Sequence, residues 1–385
     1  MQRTAENILL VMLGLVVGVI LLVIITEVFL RFQQWRVDDY NGMRHPGVYK
    51  EHPVWNHHYK LSYSFDVKDK EFNLSIKTNN LGFRGGKGAL LDGSTIDINQ
   101  SVLLLGDSFM FGMSIPKEKL LVNQLANKYP QYSFYNLSSA GWGTYNELRV
   151  LEYYKEKLNL KKIIIAFFEN DFLNNEYPYD YHVVDHGYLF NRYCEINGKR
   201  LDDRYIKPIM TKFRKKEVTS RQARLLLRNK CNKIAGIPVT FYKKIKRVLH
   251  YNLLSYDLLE KTIKSIPLFQ KTGNKISNSP SAPTSRQKDL TRRLFIKIKN
   301  IAKEKGSELY VLVIPSKWRI EKPVDLYIDA IDSILTDLNI KIINPSSEIR
   351  NNGGLKLYWE HDGHLTPRGH QFLVDAVEKK IAWPK

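Results

Sequence analysis

Apolar positions along this chain form one long run near the start. After it come short runs that alternate with stretches spaced by three and four. From Ile8 to Thr26 no residue is charged, and Leu, Val and Ile dominate. As a helix that stretch would reach about 28 Å, close to the hydrocarbon thickness of a bilayer. It predicts a transmembrane helix within residues 1–30. A cleaved signal peptide has a shorter apolar core, about 7–15 residues, and a small-x-small site after it; neither is met here. With Arg3 on one side and Arg31 and Arg36 on the other, a short tail left inside and a large exported domain is the expected topology. Residues 31–74, rich in aromatics and His with little periodicity, read as a stalk and lead-in that packs on the edge of the domain.

The short runs Ser101–Gly106, Tyr132–Leu137, Lys162–Phe168, Glu308–Ile314 and Ile340–Ile343 predict strands. Between and after them, Pro116–Lys128, Asn146–Leu158, Val324–Leu338 and Pro367–Lys380 carry helical spacing. Strands alternating with helices of this length build a parallel sheet covered on both faces. The predicted fold is α/β, a three-layer αβα (flavodoxin-like) parallel sheet over residues 75–385. Thr78–Gly86 is turn chemistry around one core-type residue, Phe83.

The rhythm breaks at about 175–287, read as an inserted basic, mainly helical segment at one rim of the sheet. It ends in Lys271–Ser285, a Ser, Pro and Asn stretch with hardly an apolar side chain, expected to be loop.

Composition is that of a folded globular protein, 43% hydrophobic and 25% charged. The charge changes the picture more, because the +20 net charge is uneven: residues 207–247 hold about fourteen Lys and Arg against the single acid Glu217. Next to an anchor, such a patch suits anionic lipid headgroups. The alternative is a solvated helical face, with Arg221, Arg224 and Arg228 along it; no nucleic acid partner is expected. The two cysteines, Cys194 and Cys231, form no CxxC pair and complete no ligand set, so no redox or zinc site is implied, and spacing does not decide whether they pair.

Chemistry concentrates where strands end. Leu105-Gly-Asp-Ser108 runs from a buried strand into a helix, and open α/β sheets place their sites at such carboxyl ends. A Ser there is a nucleophile candidate, although Gly-Asp-Ser alone is an ordinary strand-to-turn junction. At the far end, Trp359-Glu-His-Asp-Gly-His364 gathers acids and histidines just before a helix. A serine hydroxyl needs a base within reach, and that base needs a carboxylate to fix its tautomer. Asp362 and His364 fit those roles, with Glu360, His361 and His370 as competitors; His370, inside the last helix, reads better as a packing histidine. Ser138-Ser-Ala-Gly141 and Phe167-Phe-Glu-Asn170 follow the next two strands. Gly141 lets a backbone N–H approach a ligand, and the Asn170 carboxamide can donate to an oxyanion.

That ordered set resembles the SGNH (GDSL-like) hydrolase superfamily, whose four blocks carry Ser, Gly, Asn and His. The match covers residues 75–175 and 305–380. Residue by residue it implies Ser108 as nucleophile, Ser108, Gly141 and Asn170 as oxyanion hole, and His364 with Asp362 as base and acid. The third block here opens on Phe168 where the family has Gly, and Asp362 and His364 are separated by Gly363 alone. Leu81-Gly-Phe-Arg84 and Ile314-Pro-Ser-Lys317 are similar to the membrane-anchored members of the group. The resemblance implies an envelope esterase, with no metal or organic cofactor, that removes a short acyl group such as acetyl from a glycan or lipid. An O-acyltransferase using the same triad and a non-catalytic glycan-binding protein are the alternatives.

Overall fold

The computed structural model describes residues 2–32, 47–68, 71–86, 97–176, 182–185, 187–191, 201, 203–215, 223, 226–227, 230, 282–322, 324–360 and 362–384. In chain order these form α1 (Gln2–Phe32), β1 (Tyr49–His52), β2 (Asn56–Tyr59), β3 (Ser64–Lys68), β4 (Asn73–Lys77), β5 (Asp97–Gly106) and α2 (Ser108–Phe111). There follow α3 (Leu121–Lys128), β6 (Ser133–Ser138), α4 (Thr144–Tyr154), β7 (Leu158–Phe167), α5 (Asp171–Asn174), β8 (His182–Asp185), β9 (Tyr188–Asn191) and α6 (Asp203–Arg214). The last elements are α7 (Ser285–Glu304), β10 (Glu308–Val313), α8 (Leu326–Asp337), β11 (Lys341–Ile343), α9 (Ser346–Asn351) and α10 (Pro367–Lys380).

The chain divides into two compact units, one of Met1–Asp38 with Cys194–Asn278, the other of Asp39–Tyr193 with Ser279–Lys385. The first contains α1 and α6. Along α1 the apolar side chains from Met12 to Ile25 stand exposed, Leu15 and Leu22 at 65% each. Among the described residues no helix is long and apolar enough to cross a membrane. Where the expected insertion is described it is mixed rather than mainly helical: β8 and β9 pair antiparallel, and α6 is a helix with a basic last turn, Lys212 and Arg214. Most of it, with Cys194 and Cys231, lies outside the described residues.

The second unit holds the site. Its five-stranded sheet is parallel throughout, in the order β11-β10-β7-β5-β6. Numbered by their sequence order within the sheet, the strands read 2-1-3-4-5, the doubly wound arrangement whose switch point lies between the first and third strands. Here those are β5 and β7. Side chains alternate across the sheet as the strand period requires. Leu103, Leu105, Ile163 and Ile165 pack with Leu148 and Leu151 of α4, Phe295 and Ile298 of α7 and Leu335 of α8. Val102, Leu104, Ile164 and Leu312 pack on the other face with Leu121 and Leu125 of α3 and Leu373 and Val377 of α10. The three-layer expectation holds, and each such fully buried side chain contributes roughly 1.5–3 kcal/mol.

Several boundaries differ from the sequence reading, for physical reasons. Leu158 opens β7 rather than closing a helix, because Leu158 and Leu160 alternate with exposed residues and turn inward as a strand. The helix expected from Pro116 begins only at Leu121, after a 3-10 turn at Lys117–Lys119. Residues 271–281 lie outside the described residues, but Ser285 is not loop: Thr284 and Gln287 form a reciprocal capping box that starts α7. That helix was not anticipated, although Leu294, Phe295, Ile298, Ile301 and Ala302 fall on its buried face at helical spacing.

The largest revision concerns the lead-in. From residue 47 on it contains regular structure that the sequence reading did not anticipate: β1 pairs with β2 and β3 with β4, both antiparallel. Its aromatics form a core of their own with Phe111 and Met113, just beyond Ser108. Tyr59 stacks on Phe111 with ring centroids 4.0 Å apart, and the Tyr49 and Tyr59 hydroxyls meet at 3.0 Å. Packing by aromatic pairs leaves no simple period in the sequence.

Candidate active site

Gly106 ends β5, and Asp107 caps α2 by accepting the Phe109 N–H on Oδ1 at 2.9 Å. Ser108, the first residue of α2, is thereby set at the carboxyl edge of the sheet beside the switch point. Gly106 is required sterically, since a Cβ there would lie 2.5 Å from Met110 Cγ. Ser108 is 5% exposed, and its Oγ lies 2.8 Å from His364 Nε2. The opposite ring nitrogen, Nδ1, is hydrogen-bonded to Asp362 Oδ1. A carboxylate only accepts, so Nδ1 carries the proton and Nε2 is left free to take one from Ser108.

The loop that presents His364 is closed on itself. Tyr358 and Leu365 form an antiparallel bridge, Trp359 N–H donates to the His364 carbonyl at 2.9 Å, and Thr366 caps α10 immediately after. Gly363 sits at φ +89°, the left-handed region that L side chains rarely adopt. That twist lets one Asp362 oxygen take both His364 Nδ1 and the His364 backbone N–H, the latter at 3.2 Å. Glu360 is exposed and meets the loop's surroundings only through its backbone among the described contacts. His361 lies outside the described residues, and His370 is buried in α10. Of the competing acids, Asp362 is the one beside the imidazole.

Electrostatics follow the geometry. Burial alone would lower the His364 imidazole, but the Asp362 carboxylate overrides it and the net shift is upward. Burial alone would raise Asp362, yet the His364 charge and hydrogen bonds, with Lys317 nearby, hold it below the usual carboxylate range. Asp107 is raised by burial to about 6, against opposing hydrogen bonds from Phe109 N–H and the Asn170 side chain and the charge of His364. Behind it, Glu147 and Asp171 are raised well above the carboxylate range, by burial first and then by neighbouring carboxyls.

The other predicted residues sit at the ends of the flanking strands. Gly141 follows β6, with its carbonyl held by Asn174 Nδ2 at 3.2 Å. Just before it, the Ala140 carbonyl accepts from His57 Nε2 of β2 at 2.8 Å. Among the described residues neither Ser108 N–H nor Gly141 N–H donates to another protein group. Asn170 follows β7; its Oδ1, like Asp107 Oδ2, is buried without a partner, and its side chain is among the influences that hold the Asp107 carboxyl down. Phe168, in the position that departs from the resemblance, packs on Phe109 at 4.6 Å, and Phe109 lies 4.7 Å from the His364 ring.

Sequence reasoning missed the supports. Lys317 Nζ donates to the carbonyls of Trp359 and Glu360 at 2.7 and 2.6 Å. Glu71 Oε1 and Oε2 accept the N–H groups of Glu360 and Asp362 at 2.5 and 3.2 Å. Lys317 carried a signal, standing at a predicted strand end; Glu71, in a polar turn, carried none.

No family model matches the sequence, and neither does any curated protein. Solved structures do. The chain is similar to TesA at 12% identity and TM-score 0.37, covering 73% of this chain and 97% of TesA. It is similar to a lipolytic protein of the G-D-S-L family from Veillonella parvula at 10% identity and TM-score 0.35, covering 73% and 97%. The psychrotrophic esterase EstA from Pseudoalteromonas matches at 11% identity and TM-score 0.34, covering 73% and 96%. Identities and superpositions this low carry no chemistry across, and the case for a reaction rests on the distances above.

Proposed function

We propose that this chain is a serine hydrolase acting on ester bonds. The observation that carries the reading is the line from Asp362 through His364 Nδ1 and Nε2 to Ser108 Oγ, the last step 2.8 Å long, at the switch point of a doubly wound sheet. Ser108 Oγ attacks the acyl carbonyl as His364 Nε2 takes its proton, and Asp362 steadies the imidazolium. The oxyanion is received by Ser108 N–H, Gly141 N–H and the Asn170 carboxamide, three donors from three adjacent strand ends. Collapse passes the proton from His364 to the departing alcohol and leaves acyl-Ser108. Water, deprotonated by His364, then attacks; the carboxylic acid leaves and Ser108 regains its proton.

The substrate in this reading is an acylated envelope glycan or lipid, with acetyl as the acyl group. Trp318 supports a ring-bearing substrate: it is 66% exposed, and its Cζ2 would be 3.6 Å from a Cβ on Gly363 between the acid and the base. In the same reading α1 tethers the domain to a membrane and the domain works outside the cytoplasm. The uncharged run Ile8–Thr26 and the exposed apolar side chains of α1 support this. The basic segment 207–247 would rest on anionic headgroups.

The test is labelling of the full-length chain with a fluorophosphonate, with the adduct located by mass spectrometry. An adduct on Ser108 that is absent in Ser108→Ala establishes the activated serine. A folded wild-type protein that takes no label removes the hydrolase reading.

A further inference from the structure

The serine-hydrolase reading leaves open what holds the base loop in register with Ser108, and the lead-in answers it. The described residues between Trp359 and His364 are irregular, and irregular backbone holds a catalytic geometry only where its amide groups are pinned. Around Glu360 both sides of the chain are taken. Lys317 gathers the carbonyls of Trp359 and Glu360 at 2.7 and 2.6 Å, while the Glu71 carboxylate gathers the N–H groups of Glu360 and Asp362 at 2.5 and 3.2 Å. An ammonium and a carboxylate thus grip one stretch of backbone from opposite polarities. Charge-assisted bonds of this kind are about twice as strong as neutral ones.

We propose that Glu71 is a positioning residue for the triad, acting on Asp362 through its backbone and so on the alignment of His364 with Ser108. Three observations converge on that residue. Glu71 is 291 positions from Asp362 in sequence, so the bond is a tertiary choice rather than local turn chemistry. It precedes Phe72, whose ring meets Trp359 at 5.2 Å, and stands two residues before β4. Finally, Asp362 is pinned at its N–H by Glu71 and pins His364 with its own side chain; a shift at one end of that chain of bonds arrives at Nε2.

The expected signature separates positioning from mere folding. In Glu71→Ala, phosphonate labelling of Ser108 and ester turnover fall together by about 10²-fold, the size of loss that follows a small misplacement of reacting groups. KM stays within about 2-fold, since substrate binding is untouched. The far-downfield proton resonance of the His364–Asp362 hydrogen bond broadens or moves while the thermal midpoint is retained. Glu71→Gln, which keeps one carbonyl acceptor, falls between the two.

Absence of labelling in the wild type would remove the hydrolase reading itself and this proposal with it. Normal wild-type labelling with equally fast labelling in Glu71→Ala would overturn the positioning role alone. So would a loss of turnover that leaves the His364 resonance unchanged. Should the alanine variant not fold, a glutamine variant identical to wild type in labelling and resonance overturns the proposal, and an intermediate one supports it.

Discussion

The two halves of the site are built by different means. The nucleophile half is made by topology: β6, β5 and β7 end side by side, and Gly141, Ser108 and Asn170 follow their ends in turn. Side-chain bracing there is confined to the turn around Gly141, where Asn174 and His57 hold the Gly141 and Ala140 carbonyls. The base half is made by bracing: the described residues between Trp359 and His364 adopt no regular structure and are held by Lys317, by Glu71 and by their own cross-loop bond. A sheet edge places donors as a by-product of its register, whereas a loop has to be pinned bond by bond. The lead-in serves both halves, since His57 holds the Ala140 carbonyl beside Gly141 and Glu71 holds the loop.

The sharpest break is at the base. Asp362→Asn keeps the shape but cannot hold the Nδ1–H tautomer, and kcat should fall by about 10⁴-fold. The same variant has a pH signature. In the wild type the net shift of His364 is upward, and the imidazole must be neutral to act as base. Activity therefore rises with pH through a limb above the usual imidazole value. Removing the Asp362 charge removes the main influence opposing burial, so the limb of the residual activity should move to lower pH. A kcat/KM profile of both proteins checks this, and an unmoved limb would detach Asp362 from the titration.

The nucleophile half should break less steeply. In the proposed reaction Asn170→Ala removes one donor of three, and it is expected to lower kcat by about 10²–10³-fold with KM little changed. Because the Asn170 side chain also helps to hold the Asp107 carboxyl down, the comparison has a control in the melting temperature. A loss of stability with less than a 3-fold change in kcat would make Asn170 a support for Asp107 and no part of the oxyanion hole.

The same contrast explains what could be read from the sequence. Unbroken apolar runs such as Val102–Leu105 and Ile163–Phe167 mark strands covered on both faces, so the five strands and their ends were legible, and with them Ser108, Gly141 and Asn170. Asp362 and His364 were legible as a cluster; that Asp362 and not Glu360 meets the imidazole depended on the backbone twist at Gly363, which no pattern displays. The hairpins of the lead-in were illegible because Tyr49, Tyr59 and Phe65 pack by pairwise ring contacts rather than on one periodic face. Glu71 was illegible because its partners are backbone amides, which leave no mark on residue type.

Behind the strand ends the molecule keeps a set of buried carboxyls that the proposed reaction does not use, and they supply the smallest and cleanest test. Glu147 is fully buried, neither of its carboxyl oxygens has a side-chain or backbone partner among the described residues, and burial raises it well above the carboxylate range. In the unfolded chain it ionises near its ordinary value. Between that value and the folded one, the folded state binds more protons than the unfolded, so stability declines as pH rises across the interval. Asp107, raised to about 6, adds to the same slope over its lower part. Glu147→Gln has nearly the same shape and no ionisation to suppress. It should match the wild type at mildly acid pH and exceed it at pH about 8. Melting temperatures at the two pH values decide it. A variant that melts below wild type at both would mean that Glu147 is held ionised by a favourable contact, and that the nucleophile half, like the base half, is braced by charge.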